Sequence, residues 1–169
     1  MVDPLERYRL RDRVLSRSIL DRLIDEAPDR AVDPPVNFVD QVREVREAIR
    51  RDLEALLNTR RCPTTPPTAL FELRDALVSY GVDGIVSANL MTDQAKLKLA
   101  EAIERRVALF ETRLADIRVT ILKSRTMTER ALRMRIQATF RLHEGMPPIS
   151  FESTIDPSTQ RVLVEAAHG

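Results

Sequence analysis

The pattern of apolar positions changes its period within one short stretch, residues 109 to 122. Before this point apolar side chains recur at helical spacing, at Leu99, Ile103, Val107 and Phe110. After it they alternate with polar ones, with Ile117, Val119 and Ile121 on one side and Arg118 and Thr120 on the other. Helical periodicity is 3.6 residues and strand periodicity is 2. The pattern therefore predicts a helix that leads directly into a strand.

Two opposite charges lie at this predicted junction, Glu111 and Arg113, separated by Thr112. Residues two apart do not face each other on a helix, but they point to the same side of an extended segment. We therefore expect Glu111 and Arg113 to form an acid–base pair where the helix ends. We expect the pair to contact another protein. Arg113→Ala or Glu111→Ala should then lose that partner, while the melting temperature of the isolated chain stays within a few degrees of wild type.

Two long helices and one shorter helix are predicted before the strands. The first begins at Asn37 as N-cap, with Asp40 in the positive first turn, and ends at Asn58. Its apolar positions trace one face: Val42, Val45, Ile49, Leu53, Leu56 and Leu57. A shorter helix is predicted from about 69 to 80, ended by Gly81 in the left-handed conformation. Thr92 and Asp93 are a plausible start for the second long helix.

Period-2 alternation dominates the last third of the chain. The clearest strand runs from Leu132 to Leu142, a second from Ile149 to Ile155, and a third from Arg161 to Val164. Residues 156–160, DPSTQ, have strong turn chemistry and predict a hairpin. Helices first and antiparallel strands afterwards predict an α+β fold, with N-terminal helices packed on one face of a C-terminal sheet.

The first 36 residues are expected to form an arm rather than part of this domain. Residues 1–17 alternate charges with few apolar positions, and prolines bound a polar linker after residue 27. Between them lies a short apolar stripe of Ile19, Leu20, Leu23 and Ile24, which is too short to be a stable helix alone. We expect these four residues to dock on a partner or across the domain. The expected division is an arm over 1–36, one domain over 37–165 and a tail over 166–169.

Composition excludes several classes of function. In 169 residues, a net charge of +1 gives no global reason to bind nucleic acid or an anionic membrane, and 4 Gly and 4% aromatic residues disfavour a phosphate loop or a stacking platform. No stretch is long and apolar enough to span a bilayer. Because Cys62 is the only cysteine and the N-terminus has no signal-peptide pattern, a cytoplasmic location is expected.

No catalytic, cofactor or metal site is predicted. His143 and His168 lie far apart without companion ligands, and Cys62 has no recognisable base near it. Glu111 has only Asp116 as a nearby acidic companion, so a glycosidase pair is disfavoured against a helix-end ion pair. No aromatic residues are interleaved with the outward arginines of the predicted sheet, which favours a protein partner over nucleic acid. These arginines are Arg118, Arg133, Arg135 and Arg141.

Five segments together resemble TssE, the baseplate-subunit family of bacterial type VI secretion systems. They are SILDRL at 18–23, RRDLEALLNTRR at 50–61, LVSYGV at 77–82, FETRLADIRVTIL at 110–122 and ISFESTIDPSTQRVLV at 149–164. The family is similar to the wedge protein of contractile phage tails and is often labelled lysozyme-like. Its signature triplet is Glu-Pro-Arg, which here reads Glu111-Thr112-Arg113. Threonine favours extended backbone without locking it as proline does.

The resemblance implies a non-enzymatic structural subunit with a sheath-like fold, in a baseplate at the inner face of the cytoplasmic membrane. It implies the wedge subunits TssF and TssG and the sheath proteins TssB and TssC as partners, and no direct membrane insertion. It also implies that Glu111, Arg113 and the apolar stripe at 19–24 bind partners. Two alternatives stay open: a peptidoglycan-cleaving lysozyme-like enzyme, and a small cytoplasmic adaptor of the same fold.

Overall fold

The structure is a computed structural model that describes residues 18–24, 28–30, 37–64, 66–83, 92–123, 131–141, 146, 148–156, 158–159 and 161–167. The arm predicted over residues 1–17 lies outside the described residues, as do His143 and His168. The chain divides into two compact units, residues 1–49 and 50–169. The division of the chain at 36/37 and 165/166 stays a prediction.

The first unit contains helix α1, Ile19–Leu23. Ser18 caps it: its hydroxyl accepts a hydrogen bond from the Asp21 amide at 3.1 Å and donates one to the Asp21 carboxylate at 2.6 Å. The chain leaves the helix at once, because Ile24 has an extended backbone. Three residues of the predicted apolar stripe, Ile19, Leu20 and Leu23, are thus in a five-residue helix, and Ile24 lies just after it.

Helix α2, Phe38–Asn58, has the predicted bounds and begins in the first unit. The Asn37 side chain accepts a hydrogen bond from the Asp40 amide at 2.8 Å and donates one to the Asp40 carboxylate at 2.6 Å. This reciprocal cap satisfies one of the free amides at the start of the helix. The predicted apolar face, including Val42, Ile49 and Leu53, is buried.

The predicted helix over residues 69–80 is wrong. In its place lie two 3₁₀ turns, Phe71–Arg74 and Leu77–Ser79. No side chain caps the start of either turn, and Ala76 between them has an extended backbone, with ψ of 168°. An apolar segment this short cannot outweigh the cost of nucleating a helix without a cap or a broad buried face.

Helix α3, Asp93–Phe110, and strand β1, Leu114–Leu122, form the predicted junction. The Thr92 hydroxyl caps α3 by accepting a hydrogen bond from the Ala95 amide at 3.2 Å. The helix ends with the amide of Glu111 donating to the Val107 carbonyl, and a tight turn follows in which the Leu114 amide donates to the Glu111 carbonyl. Only three residues separate helix from strand.

The sheet has four antiparallel strands in the order β1-β2-β3-β4, where β2 is Leu132–Phe140, β3 is Ile149–Asp156 and β4 is Arg161–Ala166. One face is buried and apolar except for the buried Ser153; its apolar residues are Leu114, Val119, Met134, Ile136, Ala138, Phe140, Ile149, Phe151, Ile155, Val162 and Val164. The other face carries polar side chains that are exposed or half-buried. Buried side chains of α3 and of the second half of α2 complete the core, so the predicted α+β fold is confirmed.

A β-bulge near the start of β1 sets which face its side chains occupy. Between Ala115 and Arg118 the register with β2 shifts by one residue, and Asp116 has a positive φ of 51°. One extra residue moves all later side chains to the opposite face. Leu114 and Val119 therefore both point into the core, although an uninterrupted strand would place them on opposite sides.

Candidate functional site

Glu111 and Arg113 form the predicted acid–base pair at the α3–β1 junction. The Arg113 guanidinium donates from Nε to Glu111 Oε1 at 2.7 Å and from Nη2 to Oε2 at 2.5 Å. The Arg113 amide also donates to Glu111 Oε1, at 3.2 Å. The turn after α3 makes this possible, because it brings residues two apart to one side. Two parallel bonds to a carboxylate fix an arginine more firmly than a single contact does.

The pair is largely buried rather than exposed. The side chain of Glu111 is 7% exposed and that of Arg113 is 17% exposed. A buried charge is costly unless it is paired, so each member depends on the other. Loss of one member would leave the other charge buried and unpaired, so burial of the pair favours a larger fall in melting temperature than the sequence alone suggested.

A third charged residue, Asp52 of α2, completes the site. Arg113 Nη2 donates to Asp52 Oδ2 at 2.5 Å, and the Asp52 side chain is 42% exposed. The hydrogen bond from Arg113 to Glu111, with the charges of Glu111 and Asp52, raises the pKa of Arg113 above its ordinary value despite burial. Two carboxylates around one guanidinium leave the site with a formal charge of −1, whose most accessible part is Asp52.

Tyr80 lies beside these carboxylates. Its ring contacts Phe110 of α3 edge to face, with centroids 5.1 Å apart. Burial raises the pKa of the Tyr80 hydroxyl, and the negative charges of Asp52 and Glu111 raise it further. The site thus gathers residues from α2, from the segment after the 3₁₀ turns and from the junction.

Gly81 allows the Tyr80 segment to lie this close to the end of α2. The Val82 amide donates to the Thr59 carbonyl at 3.0 Å, and the Arg61 amide donates to the Val82 carbonyl at 3.1 Å. Gly81 has a φ of +95°, and a Cβ there would lie 2.3 Å from the Thr59 carbonyl oxygen. Gly81 thus has the positive φ predicted for it, although the helix that it was expected to end is not formed, and close approach of the backbone is a second reason for glycine.

The charges at the site do not form a carboxylate pair suited to hydrolysis. Glu111 is held by Arg113 on both oxygens, and a carboxylate bonded in this way is poorly placed to give up or take a proton in a reaction. Among the residues that the structure describes, no group of three or more His, Cys, Asp or Glu side chains could hold a metal ion. Cys62 is exposed, with its pKa lowered by hydrogen bonds to Thr64.

The predicted arginine stripe on the open face of the sheet is partly neutralised. Arg133 and Arg135 both donate to the Glu152 carboxylate, at 3.0 and 2.6 Å. These contacts, led by Arg135, lower the pKa of Glu152. Arg141 lies at the junction instead, where its amide donates to the Arg113 carbonyl at 2.9 Å. The stripe is therefore a mixed-charge surface, which fits a protein partner better than a phosphate backbone.

The four apolar residues of the N-terminal stripe are all exposed. The exposed fractions are 78% for Ile19, 63% for Leu20, 76% for Leu23 and 47% for Ile24. A cluster of large apolar side chains left in water is a common mark of a protein-binding surface. Their role in binding stays a prediction.

Sequence reasoning missed two members of the site, Asp52 and Tyr80. Both lie within segments that carried the family resemblance, RRDLEALLNTRR and LVSYGV. That resemblance was the available signal, since neither residue stands out by periodicity. Asp52 looks like one more charge on a helix that is rich in charges.

Comparison with known proteins identifies a family for this chain. A family model described as "Baseplate wedge protein gp25" matches residues 43–144, which is more than half of the chain. No curated protein matches the sequence. No helix among the described residues has both the length and the apolar character needed to cross a bilayer. The matched region includes Asp52, Tyr80, Glu111 and Arg113, so the junction site lies within it, and the chain belongs to the family of the baseplate wedge protein gp25.

Proposed function

We propose that the protein is the TssE subunit of a type VI secretion baseplate, a non-enzymatic component that binds the wedge subunits TssF and TssG. Membership of the baseplate wedge family supports a structural role in a phage-tail-like baseplate. The five segments that resemble TssE support the narrower assignment. In this role the subunit would also present its sheath-like fold as the start for polymerisation of TssB and TssC.

The observation that carries the proposal is the exposed apolar helix α1. Ile19, Leu20 and Leu23 present apolar surface on a helix of only five residues, which is too short to be stable in water alone, and Ile24 adds to this surface directly after the helix. Burial of these side chains against a partner would stabilise both the helix and the complex, at roughly 25 cal/mol per Å² of apolar surface removed from water. We therefore assign α1 as a docking helix for the wedge.

The junction site serves the same assembly in a different way. The guanidinium of Arg113 is already held by Glu111 and Asp52, so it has little freedom to bind a partner's carboxylate. The accessible groups are Asp52 and Thr112. Glu111 and Arg113 thus contribute to partner binding by fixing the junction, and the surplus negative charge favours a cationic side chain on the partner.

Co-expression with TssF and TssG tests the docking role of α1. The variant Ile19→Ser/Leu23→Ser removes the two most exposed of these apolar side chains and leaves the helix cap at Ser18 in place. We expect this variant to melt at the same temperature as wild type but to recover far less of the wedge complex. The matched control is Leu97→Ser, which removes an exposed apolar residue from α3. Equal recovery of the complex by wild type and both variants would contradict the assignment of α1.

The alternative of a lysozyme-like enzyme predicts a different result. Purified protein should leave the turbidity of a peptidoglycan suspension unchanged over hours, because Glu111 is bound on both oxygens by Arg113. Lysis that disappears in Glu111→Gln would favour the enzyme instead.

A further inference from the structure

The sheet has two edge strands, β1 and β4, whose outward main-chain groups could pair with another strand. Unpaired N–H and C=O groups on an edge are a template for aggregation, and proteins commonly block them. In this protein side chains from the flanking helices bond to both edges. The β4 edge is blocked by Asn58 and Arg50 of α2, and the β1 edge by Glu104 of α3.

Asn58 bonds to β4 in the manner of a neighbouring strand. Its Nδ2 donates to the Val162 carbonyl at 2.8 Å, and its Oδ1 accepts from the Val162 amide at 2.9 Å. An antiparallel neighbour offers a facing residue the same combination of one donor and one acceptor. Nδ2 also donates to the Glu54 carbonyl at 2.9 Å, which holds the side chain in place at the end of α2. Both amide hydrogens and the oxygen are therefore used.

The next outward position of β4 is also occupied. Alternate residues of a strand direct their main-chain groups to the same edge, so Val164 faces outward like Val162. The Arg50 guanidinium donates to the Val164 carbonyl at 3.0 Å, and it also donates to the Glu54 carboxylate. At the opposite edge, Glu104 Oε2 accepts from the Val119 amide at 3.2 Å. The β4 edge is thus bonded at two consecutive outward residues, Val162 and Val164, and the β1 edge at Val119.

We propose that the Asn58 side chain acts as a substitute strand that keeps the β4 edge closed in the free subunit. As a consequence, the β4 edge does not pair with the β4 edge of a second copy of this chain. Any strand that does add to β4 must first displace Asn58 from Val162. This inference does not depend on the baseplate function, because it concerns the isolated chain.

Amide hydrogen exchange and sedimentation equilibrium on the purified full chain test the proposal. At a chain concentration low enough to keep Asn58→Ala monomeric, its Val162 amide should exchange roughly tenfold faster or more than in wild type, because it loses its acceptor; a tenfold change corresponds to about 1.4 kcal/mol. The same variant should self-associate at least about tenfold more tightly than wild type. Unchanged Val162 exchange would overturn the proposal, and so would faster exchange without increased self-association.

Two further variants separate the edge contact from other effects. Thr59→Ala is the matched control, because the Thr59 hydroxyl donates only within the end of α2, to the Ala55 carbonyl at 2.7 Å. It should resemble wild type in both measurements. Asn58→Asp keeps the size of the side chain but places a carboxylate oxygen against the Val162 and Glu54 carbonyls, so it should lose the edge contact and expose the Val162 amide as Asn58→Ala does, even if Asn58→Ala fails to fold. Val162 exchange as slow as in wild type in Asn58→Asp would contradict the assigned contact.

Discussion

Arg113 is the residue on which the junction site depends. Arg113→Ala leaves the Glu111 carboxylate buried without its partner, and removal of one member of a buried pair costs about 3–5 kcal/mol. For a chain of this size the melting temperature should fall by on the order of 10 °C. Thermal melts of the isolated subunit measure this directly.

The double variant Glu111→Gln/Arg113→Met is the control for this prediction. It removes both charges and keeps side chains of similar size, so no buried charge is left unpaired. We expect it to be clearly more stable than Arg113→Ala. If Arg113→Ala melts within a few degrees of wild type, the pair does little for the fold.

The raised pKa of the Tyr80 hydroxyl predicts that the folded protein loses stability at high pH. Its pKa is raised in the folded state, so between its ordinary value of about 10 and the folded value the native state holds the proton more tightly than the unfolded state. The stabilisation is present below pH 10 and is lost as the pH rises above it. Tyr80→Phe keeps the ring contact with Phe110 and removes the titration.

Denaturant midpoints at pH 9 and pH 11 measure this effect. Wild type should lose more stability between the two than Tyr80→Phe does, because the lysines, which also titrate there, are common to both proteins. Identical losses would show that the Tyr80 hydroxyl does not feel the carboxylates of Asp52 and Glu111.

The local part of this site was predictable from the sequence, and the distant part was not. Glu111 and Arg113 lie two residues apart where the periodicity changes, so their pairing followed from local geometry. Asp52 and Tyr80 are separated from them by about 30 to 60 residues. Their position beside the pair depends on the packing of α2 and on the close backbone approach at Gly81, and no local sequence pattern specifies either. Burial of the pair was unforeseen for the same reason.

Among the secondary-structure elements, those with a capping side chain or a long, regular pattern of apolar positions were predictable. α2 and α3 have Asn37 and Thr92 as caps, and the alternation of β2 is almost unbroken. The segment over 69–80 has neither a capping side chain nor a broad apolar face, so two 3₁₀ turns form where one helix was expected. The bulge in β1 was also missed, because one inserted residue leaves most of the alternation intact.

The bulge gives a prediction for β1. Asp116 occupies a positive φ, and its carboxylate accepts a hydrogen bond from the Thr139 hydroxyl at 2.9 Å. Asp116→Val should destabilise the protein by roughly 1–2 kcal/mol or more, because a β-branched residue is strained there. Asp116→Asn tolerates the same backbone and keeps an acceptor for Thr139, so it should lie within about 0.5 kcal/mol of wild type.

Denaturant unfolding of both variants decides the matter. Equal stability of Asp116→Val and Asp116→Asn would mean that β1 can slip into a register without the bulge. That result would also remove the reason for placing Leu114 and Val119 on one face of the sheet.

At the scale of the whole molecule, the described residues combine a stable sheet with surfaces suited to assembly. The sheet has one apolar face buried and one mixed-charge face open, while α1 and the residue that follows it carry four exposed apolar side chains. The junction site ties α2, Tyr80 and β1 together and lies within the region that matches the baseplate wedge family. A scaffold of this kind fits a subunit that works by binding other proteins.

Affinity purification of the tagged protein from its native cell tests this account most directly. We predict that TssF and TssG co-purify with the wild-type chain, together with the sheath proteins TssB and TssC, and that the Ile19→Ser/Leu23→Ser variant loses the wedge subunits while remaining folded. Purification of the wild-type chain without any baseplate or sheath protein, under conditions in which the secretion machine is assembled, would contradict it.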